Sequence, residues 1–162
     1  MENFINLINR ILSIMCVVLC SVLVACVVWQ VFSRYILNTP STYTDEMARF
    51  LFIWVGLIGA AYALGQKKHL AIDLLATKFE NSIKNTNQLA LIINLISLFF
   101  VSSIMFYGGI NLVQDTMAHG QISPVLGIEM GLVYLAIPIS GLFMLLYLIR
   151  DIFNNLKHIS LK

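Results

Sequence analysis

Four stretches of the chain are almost free of charge, at about 11–32, 44–64, 89–113 and 130–149. Each approaches the roughly 20 apolar residues that cross a bilayer. None alternates strictly between polar and apolar positions, and lipid cannot satisfy unpaired backbone groups, so each predicts a helix. The expected fold is all-α and integral to a membrane, with residues 1–162 forming a single membrane domain. Between the second and third runs, Ile72, Leu75, Ala76, Phe79 and Ile83 share one helical face, while Asp73, Thr77, Glu80, Asn81 and Lys84 share the other. A segment of about 70–84 is therefore expected to lie flat in the membrane interface as an amphipathic helix. Its apolar face would suit a partner protein equally well.

The second run is short if only its uncharged part counts. Phe50 to Leu64 falls below the ~30 Å of hydrocarbon at about 1.5 Å per residue. The helix must begin earlier, with Thr44 as the expected N-cap and Asp45 and Glu46 near the positive end of its dipole. Arg49 follows Asp45 by four residues and Glu46 by three, so it can neutralise either of them. Small residues four apart, Ser21 with Ala25, Gly56 with Ala60, Gly59 with Ala63 and Gly127 with Gly131, mark places where helices could approach closely. Pro138 is expected to kink the fourth helix. In the first run, Arg10 and the box Leu23-Val24-Ala25-Cys26 also fit a cleaved lipoprotein signal. The apolar stretch continues through Val27, Val28, Trp29 and Phe32, however, and a retained helix is expected.

Composition removes the soluble alternative. Of 162 residues, 59% are hydrophobic and 11% charged, and the mean hydropathy is +0.87. Soluble chains carry about 25% charged residues, and a unit this small has too little interior to hide the surplus. The formal charge of +2 is dispersed, with no basic stripe, so nucleic acid is not an expected partner. The basic residues are distributed unevenly about the helices. Arg10, Lys67, Lys68, Lys78, Lys84, Arg150, Lys157 and Lys162 fall on one set of alternate flanks, and only Arg34 and Arg49 on the other. The positive-inside rule then puts both termini and the middle loop in the cytoplasm.

Candidate chemistry is sparse. Cys16 and Cys20 lie one turn apart, but their helix offers no histidine or carboxylate, and small apolar packing explains them. A four-helix thiol-quinone enzyme would want cysteine pairs in its outer loops. Asp115 and His119 with Glu129 make a conceivable metal site, though the spacing gives no convincing third ligand. A stand-alone transporter, for example a small homodimer, should place an ionisable group near the bilayer midplane, where its cost implies function. This chain has none there; Asn94 and scattered serines are better suited to bridging helices. The balance favours a non-catalytic membrane scaffold, with no catalytic, metal or cofactor residue.

Several short stretches occur in a familiar order: WQVFSRYILN from Trp29 to Asn38, DEMAR from Asp45 to Arg49, Trp54 through Gly59-Ala60, HLAID from His69 to Asp73, and SPVLGI from Ser123 to Ile128, then Tyr134 and Pro138. Together they span nearly the whole chain. In this the chain resembles the small membrane subunit, DctQ-like, of tripartite ATP-independent periplasmic (TRAP) transporters. The resemblance implies a four-helix subunit of the bacterial inner membrane, paired with a large permease subunit that holds the substrate and sodium sites. A soluble periplasmic binding protein would deliver organic acids such as C4-dicarboxylates or sialic acids. Arg34, Glu46, Arg49, His69 and Asp73 match the family pattern and are expected to be structural or interface groups, with Asp45 beside them. Tyr43 stands where many members have tryptophan, a substitution that still favours the interfacial depth.

Overall fold

The computed structural model describes residues 2–66 and 83–160. His69, Asp73 and most of the expected amphipathic segment lie outside the described residues. Four helical rods among them are long and apolar enough to cross a membrane: Ile5–Tyr35, Thr42–Gly65, Leu91–Ala118 and Met130–Phe153. The protein is all-α, and its only extended pairing among the described residues is an isolated bridge between Ile122 and Glu129.

Helix α1 (Glu2–Tyr35) extends beyond both ends of its apolar run. It ends where the N–H groups of Ile36 and Thr39 turn back to the carbonyls of Phe32 and Ser33, at 2.9 and 3.1 Å. Asn38 then adopts φ 53°, a left-handed conformation that asparagine tolerates better than most residues. Pro40 follows and prevents the helix from resuming. Helix α2 (Thr42–Gly65) starts two residues before the expected cap. Ser41 occupies the cap position without a side-chain bond to the helix, and the Thr44 hydroxyl donates backward to the Ser41 carbonyl at 3.2 Å.

The third rod is not uniform. Helix α3 (Ile83–Phe100) passes into a π-helical stretch over Val101–Gly108 and then into α4 (Gly109–Ala118). The hydroxyls of Ser102 and Ser103 both donate to the Phe99 carbonyl, at 3.2 and 2.6 Å. They compete with backbone N–H groups for that acceptor, which favours the wider hydrogen-bond register. The fourth rod is broken at Leu135 into α5 (Met130–Tyr134) and α6 (Ala136–Ser160). Pro138 has no N–H to offer the Tyr134 carbonyl, so the expected kink falls where the backbone ladder loses a rung.

Helix α6 is the hub. It packs on α2 on one side and on α3 and the π stretch on the other, while α1 lies antiparallel along α2. The fourth span is 44% buried within the chain, against 11–17% for the others. Leu12, Ile58, Ala61, Val101, Met144, Tyr147 and Leu148 form the core between them. Two glycines make that packing possible: the Tyr147 ring lies directly on Gly65, and Met105 packs against Gly141. The spacings Gly56/Ala60 and Gly59/Ala63 behave differently, since no described atom lies within 4 Å of where a side chain at Gly56 or Gly59 would begin. Among the described residues, these two positions bring no helices together.

Candidate functional site

The polar groups that the apolar pattern isolates gather at the end where the α1–α2 turn meets the α4–α5 loop. That loop begins with Gly120 at φ 58° and doubles back on itself. Ser123 N–H donates to the Ile128 carbonyl at 2.9 Å, and Met130 N–H to the Gln121 carbonyl at 2.9 Å. Gly127, at φ 67°, completes the reversal with its N–H on the Ser123 carbonyl at 3.2 Å. Pro124 takes the first corner and has no N–H, so the next two, on Val125 and Leu126, are left to point inward.

Glu46 fills the space they define. One carboxylate oxygen accepts from the Ser123 hydroxyl at 3.1 Å, from Val125 N–H at 3.2 Å and from Leu126 N–H at 2.8 Å. A carboxylate in the first turns of α2 thus serves as the anchor for a loop nearly eighty residues away. Contacts between these two loops require them to share one side of the membrane, as four crossings demand.

Asp45 points the other way. Its Oδ1 accepts from Gln30 Nε2 on α1 at 2.6 Å, and its Oδ2 from Arg49 at 2.9 Å. Nearby, Ser33 is 2% exposed; its hydroxyl donates to the Gln30 carbonyl at 3.0 Å and accepts from Ser41 N–H at 3.3 Å. The two adjacent acids therefore do separate work, Asp45 joining α1 to α2 and Glu46 joining α2 to the distant loop. Arg49 pairs with Asp45 alone, although the spacing allowed either acid. The Arg49 side chain remains 75% exposed. Arg34 is exposed and acts on Asp45 through its charge rather than through a hydrogen bond.

Gln30, Ser33 and Ser123 belong to the site and were not among the expected site residues. A usable signal existed: Gln30 is the one amide side chain in the run 11–32, and a polar side chain within a span needs a partner. At the opposite end of the bundle, the Tyr147 hydroxyl donates to Asn9 Oδ1, and the Arg150 guanidinium lies 5.5 Å from the Tyr147 ring centre while bonding Asp151 at 2.8 Å. That chain of contacts ties α1 to α6. His119 directs Nδ1 to the Asp115 carbonyl at 2.6 Å, and no group of three potential metal ligands occurs among the described residues.

The arrangement uses its charges to hold helices and a loop in place. Comparison with known proteins gives the same picture a family. The pattern described as Tripartite ATP-independent periplasmic transporters, DctQ component, matches residues 23–158. The chain belongs to the DctQ family. That match contains both acids, the loop that Glu46 holds and nearly all of the hub helix α6. A similar protein, the sialic acid TRAP transporter small permease protein SiaQ of Vibrio cholerae, is 31% identical over 153 residues, covering 94% of this chain and 85% of its own. Two longer proteins contain a similar unit. The sialic acid TRAP transporter permease protein SiaT of Haemophilus influenzae is 26% identical over 129 residues, 79% of this chain and 20% of that one. The isethionate TRAP transporter permease protein DctMQ of Oleidesulfovibrio alaskensis is 21% identical over 117 residues, 72% of this chain and 18% of that one. In both, the DctQ-like unit makes up about a fifth of a single permease chain.

Proposed function

We propose that this DctQ-family chain is the non-catalytic small subunit of a sodium-driven, binding-protein-dependent importer of organic acids in the bacterial inner membrane. It scaffolds a large permease subunit that carries the substrate and sodium sites. The observation carrying this reading is the use of its charges: Asp45 and Glu46 are consumed in holding α1, α2 and the 121–130 loop together, and no Asp, Glu, His, Lys or Arg stands at the middle of a described span. A transporter working alone needs such a group. A rigid neighbour needs fixed helices, and one part of a transporter can then move against a part that stays still. Identity to the Vibrio cholerae protein supports a sialic-acid type of substrate, and the DctMQ and SiaT chains support a large permease as the partner. The substrate-binding protein and the absence of any cofactor in this subunit belong to the same proposal.

Reconstitution tests it. Vesicles containing this chain alone should show no sodium-dependent uptake of sialic acid or a C4-dicarboxylate. Adding the large subunit and the binding protein should restore uptake, and omitting this chain should abolish it. Robust uptake by the chain alone would instead establish a self-sufficient transporter. Orientation has its own check. Reporter fusions after the carboxyl end and at Gly120 should report cytoplasm and periplasm respectively, and equal signals from both would refute four crossings with both termini inside.

A further inference from the structure

We infer that the large permease subunit docks on one face of α2, the face bearing Phe52, Gly56, Gly59, Ala60 and Ala63, and seats a helix in the groove beside it. This rests on the scaffold reading above and names the surface through which it works.

The groove lies between α2 and α3, with α6 as its floor. It encloses about 440 Å³ and is lined chiefly by Ala60, Leu64, Ile96, Phe100, Met144 and Leu148. Helices α2 and α3 both pack on α6, and the slot between them stays open to the side. All its walls belong to spanning helices, so whatever fills it is apolar and lies within the membrane.

The glycines separate a protein occupant from lipid. Gly65, Gly109, Gly131 and Gly141 each meet a neighbouring side chain that leaves little or no room for a methyl group, so the fold accounts for them. Gly56 and Gly59 meet nothing described within 4 Å. A glycine inside a helix costs roughly 1 kcal/mol relative to alanine, and nothing described in this chain offsets that cost at either position. Lipid tails gain nothing from a missing side chain, because they mould to any surface. A helix does gain, since small residues let its backbone come close where packing is the main attraction between helices. Phe52 is 68% exposed on the same face, and Arg49 stands one turn beyond it with its guanidinium 75% exposed. The face therefore presents a bulky apolar residue, a shallow seat and a cationic group at the membrane boundary.

The occupant is set by the longer relatives. In SiaT and DctMQ a similar unit is covalently part of a permease about five times its length, so permease helices are the partner held beside it.

Co-expression of this chain with the tagged large subunit of the same transporter tests the face. Gly56→Leu and Gly59→Leu should each reduce the co-purified large subunit about tenfold, while the chain on its own keeps or raises its unfolding midpoint, because leucine is a better helix former and its Cβ meets no described atom. Ala25→Leu on the exposed side of α1 should leave co-purification unchanged. A photo-crosslinker at Phe52 should give an adduct with the large subunit. Normal recovery of both glycine variants would overturn the inference and leave the scaffold reading intact, as would adducts only with lipid or with a second copy of this chain. Failure of the wild-type chain to co-purify with the large subunit would overturn the scaffold reading itself.

Discussion

Replacing Glu46 by alanine should destabilise the bundle by about 2–4 kcal/mol, the loss expected when charge-assisted hydrogen bonds vanish and their donors are left without partners. Three donors depend on that carboxylate: the Ser123 hydroxyl and the N–H groups of Val125 and Leu126. Ser123 is 3% exposed, so water cannot readily take over. Glu46→Gln keeps one acceptor oxygen and should retain part of the stability. Arg49→Ala makes the useful contrast. An ion pair with one partner 75% exposed contributes at most about 1 kcal/mol, and Asp45 keeps its bond from Gln30. Unfolding midpoints in detergent should therefore fall in the order wild type, Arg49→Ala, Glu46→Gln, Glu46→Ala. Hydrogen exchange at the Val125 and Leu126 amides should accelerate in Glu46→Ala and stay slow in Arg49→Ala. If the two alanine variants prove equally stable, the carboxylate does not hold the loop.

That ordering departs from what the DEMAR stretch alone suggests, and the reason is physical. Spacing along a helix reports which neighbours a side chain can reach, and by that measure Asp45, Glu46 and Arg49 form one local cluster. It carries no information on a loop nearly eighty residues later. Glu46 turns to that loop because Pro124 and Gly127 shape a backbone that leaves two N–H groups unpaired, and a carboxylate satisfies both. The spans were legible for a related reason: lipid enforces length, apolarity and internal hydrogen bonding, and all three are written locally in the residues. The Pro138 break was legible as well, because a missing N–H acts within its own helix. The π stretch was not, since serines in an apolar run usually signal only polarity, and the register change needs Ser102 and Ser103 to bond the same carbonyl. Gly56 and Gly59 show the limit of a spacing rule. Their four-residue interval to alanine promises a close contact, yet only packing shows that no such contact forms among the described residues.

Gly65 carries the second large expectation. A methyl group there would sit 2.7–2.8 Å from the Tyr147 Cε atoms, closer than real contacts allow. The ring cannot swing aside cheaply, because it is 1% exposed, its hydroxyl is held by Asn9, and Arg150 lies over its face. Gly65→Ala should therefore cost about 1–3 kcal/mol, the usual penalty for overfilling a packed core. Gly59→Ala, six residues earlier on the same helix, should instead add up to about 1 kcal/mol of stability to the isolated chain, because open space removes the steric term and leaves the gain in helix propensity. Opposite signs from one chemical change would identify close packing, not backbone flexibility, as the reason for glycine at position 65. The decisive measurement is a double-mutant cycle. Tyr147→Leu alone should cost about 2–4 kcal/mol through the vacated volume and the orphaned Asn9 oxygen. In that background Gly65→Ala should cost almost nothing, giving a coupling of about 1–3 kcal/mol between the two sites. If Gly65→Ala costs the same with and without the tyrosine, the ring is not what excludes a side chain, and the contact between α2 and α6 must be closed by other groups.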